Sequence, residues 1–319
     1  MTTPVRPRVD VGVVTWNTRE LTVQALRRLL ESDQGVDLRL LIRDNGSADG
    51  TAAAIAAAVP EAVVDADSDN LGFGRGMNRL LARSEAPWFL ALNSDAWPEP
   101  GAIRRMVDAA EANPRCAAVA PLLLRPDGSL EHSTQPFPSA RVATLATFPA
   151  YARRHPDRAR ALMFPGVWLH DEARTVDWAV GAALLLRRTA VDEVGGFDER
   201  LFMYAEDLEW CLRANRAGWS VWFEPAAVVR HVGNASGSQT YGGMGSSGRV
   251  RTYWRNTYRV HRWYNGPIAT SGLRIANALR AGVSWTRYVG RNKGARRYWG
   301  AQLRAHFVST RHPDGPPLP

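Results

Sequence analysis

The feature that most constrains this chain is the rhythm of its first 125 residues, where short apolar runs that stop in polar turns alternate with segments at helical spacing. Val9 to Thr15 is β-rich and ends at Trp16-Asn17. Glu20 to Ser32 follows with Leu21, Ala25 and Leu29 at helical spacing. Leu38 to Ile42 then stops in Asp44-Asn45-Gly46-Ser47. Asp49 can cap the alanine-rich helix after that turn. The same pattern predicts strands at Ala62–Val64, Trp88–Leu92 and Cys116–Leu124, and helices over Met77–Arg83 and Pro100–Asn113. Such an order calls for an α/β fold with a mainly parallel sheet between helical layers. Parallel sheets carry their sites beyond the carboxyl ends of the strands, which is where the polar clusters of this chain fall.

Residues 125 to about 174 hold several prolines and few periodic runs, and are expected to cover a cleft. A second ordered block has a strand at Trp178–Leu186, a turn at Gly195-Gly196-Phe197-Asp198 and a helix over Asp207–Ala217. A strand at Trp219–Phe223 and an apolar run to His231 follow. Beyond a Gly/Ser-rich stretch, Asn234 to Gly248, a basic tail begins. The chain thus divides into 1–125, 126–235 and 236–319. No stretch approaches the roughly 18 apolar residues of a membrane span. Met1 to Asp10 has no signal core, so a cytoplasmic protein is expected. Cys116 and Cys211 stand outside any CxxC or Cys/His cluster and read as two buried thiols.

Charge matters once it is located. Residues 236–319 carry fourteen Arg and Lys against one acid, Asp314, while the whole chain carries only +9. The excess belongs to one segment and implies an anionic partner there. No nucleic-acid-binding motif accompanies it, and the acidic clusters upstream would repel a polyanion, so phospholipid is favoured over nucleic acid.

Four clusters carry chemistry. Asp44 to Thr51 sets a carboxylate at a strand end before a turn rich in acceptors, suited to a base or ribose, or to an Asx-turn and helix cap. Asn70-Leu71-Gly72-Phe73-Gly74-Arg75-Gly76-Met77-Asn78 lets a backbone approach a ligand closely. Its G-x-G-x-G spacing departs from the dinucleotide fingerprint G-x-G-x-x-G, which disfavours an oxidoreductase. Asn93-Ser94-Asp95 offers a strand-end carboxylate to a hard cation. Glu206-Asp207 opens a helix after the apolar run Leu201-Phe202-Met203-Tyr204, a partly buried place where a carboxylate can be tuned as a base. His231 is a candidate metal ligand.

Together these segments, from about Val9 to His231, resemble glycosyltransferase family 2 with its nucleotide-sugar fold, GT-A. Within it they most resemble bacterial rhamnosyltransferases that build cell-wall or surface polysaccharide on lipid carriers. The resemblance implies an inverting transfer from a dTDP- or UDP-sugar, rhamnose favoured, to a lipid-linked or glycan acceptor hydroxyl. Asp207 would be the base, with Glu206 the second candidate. The donor would lie against Thr15, Asn17, Asp44, Asn45, Asn70, Gly72, Phe73, Asn78, Asn93, Ser94 and Asp95. Trp210 and Arg213 would shape the acceptor site. Asp95 and His231 would hold Mg2+ or Mn2+; here Asn93 stands where the family's DxD motif has its first Asp. The other readings are transfer to a soluble acceptor and a nucleotide-sugar-binding protein without catalysis.

In the tail, Val250, Trp254 and Tyr258 recur at four-residue spacing among Arg251, Arg255, Arg259 and Arg262. Trp285, Tyr288, Tyr298 and Trp299 are interleaved with Arg287, Arg291, Lys293, Arg296 and Arg297. This pattern suits helices in the headgroup layer at the inner face of the cytoplasmic membrane. A helix pair packed on the catalytic part, or on a second copy in a homodimer, is the alternative.

Overall fold

The computed structural model describes residues 6–164, 167–233, 245–290 and 292–310. The predicted alternation is present as β1 (Arg8–Thr15), α1 (Arg19–Glu31), β2 (Asp37–Asn45), α2 (Thr51–Ala58), β3 (Val63–Asp67), α3 (Phe73–Leu81) and β4 (Trp88–Asn93). Then come β5 (Ala96–Pro98), α4 (Ala102–Glu111), β6 (Cys116–Leu124), β7 (Leu130–Glu131) and β8 (Thr134–Gln135). The irregular middle holds three short helices, α5 (Ala140–Leu145), α6 (Pro149–Arg154) and α7 (Pro156–Ala161). After it lie β9 (Arg174–Val176), β10 (Trp178–Ala179), β11 (Ala183–Arg187), α8 (Arg188–Val194), α9 (Glu206–Arg216) and β12 (Ser220–His231). The tail forms α10 (Gly245–Arg287) and α11 (Lys293–Ala305).

One ten-stranded sheet has the order β3-β2-β1-β4-β11-β6-β12-β5, with β7 on β6 and β9 on β12. β1 to β4 run parallel, and β12 runs parallel to β6. β11 is antiparallel to both β4 and β6, so all of these except β11 end at the same edge. Thr15, Asn45, Asn93 and His231 are therefore neighbours although 216 positions separate the first from the last. Both sheet faces are covered, which is why the strands read as nearly unbroken apolar runs. Val9, Val11 and Val13 pack with Leu26, Ile55 and Ile103 on one face; Met77, Phe89, Trp210 and Phe223 fill the other.

Three sequence expectations are corrected. The helix expected from Met77 begins at Phe73, so the glycine-rich run forms its first turns. Gly76 permits this, because a Cβ there would lie 3.0 Å from Val14 of β1. The strand expected over Trp178–Leu186 is two: β10 pairs with β8 in a separate ribbon, while β11 joins the main sheet. The segments expected around Phe223 and His231 are one strand with a register shift between Glu224 and Val228. Pro225, which cannot donate to a ladder, sits in that irregularity. Cys116 and Cys211 are free and buried, and burial pushes their thiols up to about 11 and about 12.

The tail folds back onto the α/β body. Gly266 (φ 77°) and Pro267 divide α10 into two arms. Tyr258 is fully buried, and Trp254 stacks on it at 5.5 Å and meets His306 of the α11 end at 4.6 Å. The Trp254 and Tyr258 face therefore packs inward instead of facing lipid. Arg291 and Arg311 lie outside the described residues.

Candidate active site

A cavity of about 270 Å3 opens at the shared carboxyl edge of the strands. Thr15, Asn45, Asn70, Gly72 and Phe73 line one side, and Asn93, Ser94, Asp95 and His231 another. Glu206 and Asp207 face it from the start of α9. Trp16 and Gly181 also line it, as do Glu131, Gln135, Trp178 and Tyr253, which no sequence motif marks as site residues. The other expected site residues stand behind this wall. Asp44 accepts from Ser47 N and Oγ, at 3.1 and 2.5 Å. Asn17 accepts from Ala48 N at 2.8 Å, and its own N–H donates to Ser47 Oγ at 2.8 Å. Asp49, read as a cap, receives the first N–H of both α1 and α2. Asn78 ties α3 to the Gly-Gly-Phe-Asp turn through Phe197 N and O, at 2.8 and 2.9 Å.

Trp210 and Arg213, expected near the acceptor, are placed beneath the site. The Trp210 indole is fully buried and donates to Gly195 O at 2.9 Å. Arg213 donates to Val194 O, to Gly196 O at 2.7 Å and to the buried Glu209 carboxylate at 2.7 Å. Tyr264 Oη of α10 donates to the same Glu209 at 2.5 Å.

Asp207 is held from two directions. Its Oδ2 accepts the Gly181 N–H at 2.9 Å and its Oδ1 the Leu208 N–H at 2.7 Å. Burial nevertheless raises its carboxyl above the usual range, with these backbone donors opposing the shift. Tyr204 and Ala205, just before α9, both sit in the left-handed region at φ 69°, which side chains rarely adopt. Buried Asn256 of α10 steadies this bend, donating to Met203 O at 3.0 Å and Tyr204 O at 3.4 Å. Tyr253, one turn earlier, is pushed up to about 12 by burial and then by the Asp207 charge, so its hydroxyl stays neutral.

The glycine of Asn70-x-Gly72-Phe73 has a specific reason. Gly72 (φ 79°, ψ 176°) would set a Cβ 2.2 Å from Phe202 O, and Phe73 N donates to that same oxygen at 3.0 Å. This contact joins the Asn70–Phe73 side of the cavity to the loop before Asp207. Gly72→Ala is expected to cost at least ~2 kcal/mol, because only glycine tolerates that backbone region and the obstacle is backbone. Thermal unfolding checks this; an unchanged melting temperature would refute it.

Across the cavity, His231 Nε2 lies 3.3 Å from Asp95 Oδ1 and its Nδ1 3.0 Å from Glu131 Oε2. Burial lowers the imidazole, but its bonds to Asp95 and Glu131 outweigh that and hold it at about 9. Among the described residues no group of three or more His, Cys, Asp or Glu converges on a metal site. Asp95 and His231 still fit a divalent cation. They are a carboxylate oxygen and an imidazole nitrogen on one wall, with Glu131 behind the ring as the partner that orients a ligating histidine. Among the described lining residues there is no Lys or Arg, so a polyanionic ligand would meet only His231 as a side-chain cation.

A GT-A sheet with carboxylates and a histidine gathered at the ends of its strands is the architecture of a glycosyltransferase. The chain belongs to glycosyltransferase family 2: residues 7–266 match the family model described as glycosyltransferase like family 2. Over 260 residues it is 33% identical to the N-acetylglucosaminyl-diphospho-decaprenol L-rhamnosyltransferase of Mycobacterium tuberculosis, covering 76% of this chain and 81% of that one. A 56-residue segment is 41% identical to the rhamnosyltransferase WbbL of Escherichia coli, 18% of this chain and 21% of that one. The mannosyltransferase PcManGT of Pyrobaculum calidifontis, solved with GDP-Man and Mn2+, shares the fold at a TM-score of 0.57 and 15% identity, over 96% of this chain and 88% of that one.

Proposed function

We propose that this glycosyltransferase moves rhamnose from a nucleotide diphosphate sugar, dTDP- or UDP-linked, to a hydroxyl of an N-acetylglucosamine carried on a polyprenyl diphosphate. The 33% identity to the M. tuberculosis enzyme supports the sugar and the acceptor. The observation that carries the chemistry is one cavity with a buried carboxylate of raised pKa on one wall and the Asp95–His231 pair on another. In this reading residues 1–125 hold the donor and 126–235 the acceptor and base.

Asp207 takes the proton of the acceptor hydroxyl, its carboxylate aimed by the Gly181 N–H. The hydroxyl oxygen displaces the nucleotide diphosphate in one step, so the anomeric configuration inverts. Asp95 and His231 would hold Mg2+ or Mn2+, and Asn93, whose amide lies 3.2 Å from His231 Nε2, can turn its carbonyl oxygen to the same place. Held by these residues, the cation would supply positive charge beside the departing diphosphate. Glu131 keeps the imidazole oriented throughout.

Turnover with dTDP-rhamnose, UDP-glucose, UDP-galactose and UDP-N-acetylglucosamine against a synthetic N-acetylglucosaminyl-diphospho-polyprenol tests the assignment. Transfer from dTDP-rhamnose with inverted configuration is expected; preference for another donor would overturn the sugar.

Within the tail, the residues left to meet an anionic partner lie on the second arm of α10. No helix among the described residues is long and apolar enough to cross a membrane. On the second arm of α10, Ile268, Ile275 and Leu279 are 87%, 62% and 62% exposed and share one helix face with Val283. With fourteen Arg and Lys against one acid over 236–319, the fitting surface is an anionic bilayer at the inner face of the cytoplasmic membrane. Ile275→Asp with Leu279→Asp should move the protein from phosphatidylglycerol vesicles to the supernatant in co-sedimentation. Unchanged pelleting would overturn the membrane role of this face, and a shift from dimer to monomer in the double variant would give it to a second copy of the chain.

A further inference from the structure

A second cavity, of about 210 Å3, lies between the 132–164 segment and the tail helices. It shares Gln135, Trp178 and Tyr253 with the catalytic cavity, so these three residues line both. Val142, Ala146, Leu162, Phe164 and Leu273 give it an apolar wall. Among the described residues lining it there is no Asp or Glu, and two can carry positive charge, His132 and Arg280. Burial lowers His132 and keeps it neutral. Arg280 has no carboxylate near it among the described residues, and burial works against its charge, with only Tyr298 in its favour. A guanidinium set against an apolar wall without an acid is poorly compensated until an anion arrives. Guanidinium suits phosphate, which it can bind with two parallel hydrogen bonds.

We propose that this second cavity binds the lipid diphosphate of the acceptor. Arg280 pairs with the diphosphate, the apolar wall receives the first isoprene units, and the attached sugar passes Gln135, Trp178 and Tyr253 to set its hydroxyl on Asp207. A nucleotide would leave the apolar wall unused, and a neutral lipid would leave Arg280 unpaired; a prenyl diphosphate uses both. The proposal rests on the lipid-linked acceptor reading above, and the test separates the two.

Farnesyl diphosphate, farnesol and inorganic diphosphate are titrated into the full chain in chelator, which denies diphosphate a metal in the catalytic cavity. The fluorescence of Trp178 and Trp254, both in the cavity wall, reports binding. Farnesyl diphosphate should bind at least about tenfold more tightly than either fragment. Arg280→Gln should weaken it about 10- to 100-fold, the range for a lost charge-assisted contact, and Arg280→Lys should recover part. Ala146→Trp, which fills the apolar wall and leaves the charge, should weaken it as well. In turnover, Arg280→Gln should raise the acceptor KM while donor KM stays as it was. Equal binding of farnesol, or no effect of Arg280→Gln and Ala146→Trp in folded protein, would overturn the proposal. Binding through Arg280 without any transfer to a diphosphate-linked N-acetylglucosamine would instead remove the acceptor sugar and leave the cavity assignment standing.

Discussion

Asp207→Asn is expected to abolish transfer, with kcat falling by about 10²- to 10⁴-fold, the contribution typical of a general base, while donor binding persists. The amide keeps an oxygen that can accept the Gly181 N–H, so the loop geometry survives and only proton acceptance is lost. Activity within about tenfold of the native enzyme would move the role to Glu206, its neighbour on the cavity wall. Because burial raises the Asp207 carboxyl, kcat/KM should fall on acidification at a pH above the usual aspartate range. The same shift affects stability. A carboxyl raised in the folded state contributes stability below its unfolded pKa and loses it as pH rises through the folded pKa. Where Asp207 is ionised it therefore destabilises the fold, and at pH values above its folded pKa Asp207→Asn should melt higher than the native enzyme. A variant that is inactive and also melts lower would point to a collapsed loop instead of a missing base.

Chelation should suppress transfer, Mn2+ or Mg2+ should restore it, and Asp95→Ala should prevent the rescue. The reason lies in the cavity's charge. A diphosphate leaving group needs positive charge near it, and the described lining residues include no Lys or Arg. Glu131→Gln should weaken metal affinity about 10- to 100-fold without abolishing activity at saturating metal, the usual cost of removing the partner of a ligating histidine. Full activity in excess chelator would reject the metal and leave His231 itself, held at about 9, as the cation facing the leaving group.

Much of the frame is legible in the sequence. Short β-rich runs that stop at Asn17, Asn45 and Asn93 announce parallel strands and place polar residues at their ends, because strand period and burial on both faces leave few other folds. Gly72 and the Glu206-Asp207 pair were visible for the same kind of reason: one position needs a backbone that only glycine tolerates, and the other opens a helix directly after an apolar run. Glu131 was not legible. It lies in an irregular stretch and gains its role only because β7 pairs with β6 and carries it to His231, 100 residues away. The placement of Trp210 and Arg213 was not legible either, since residues further along a helix from Asp207 can face the surface or, as here, lie beneath the cavity.

The tail shows the same division. That residues 236–319 are basic and aromatic, and that Val250, Trp254 and Tyr258 stand at helical spacing, is plain in the sequence, because net charge and local periodicity need no partner to be read. Which side of the tail helices faces inward depends on the packing of the folded chain. Gly266 and Pro267 split α10, the Trp254 and Tyr258 face packs against α5 and α11, and Ile268, Ile275 and Leu279 are left outside. Periodicity fixes which residues share a face, whereas the choice of face to bury depends on surfaces contributed by distant segments. Asn256 on the loop before Asp207, and Tyr253 and Arg280 in the cavity walls, follow from that choice.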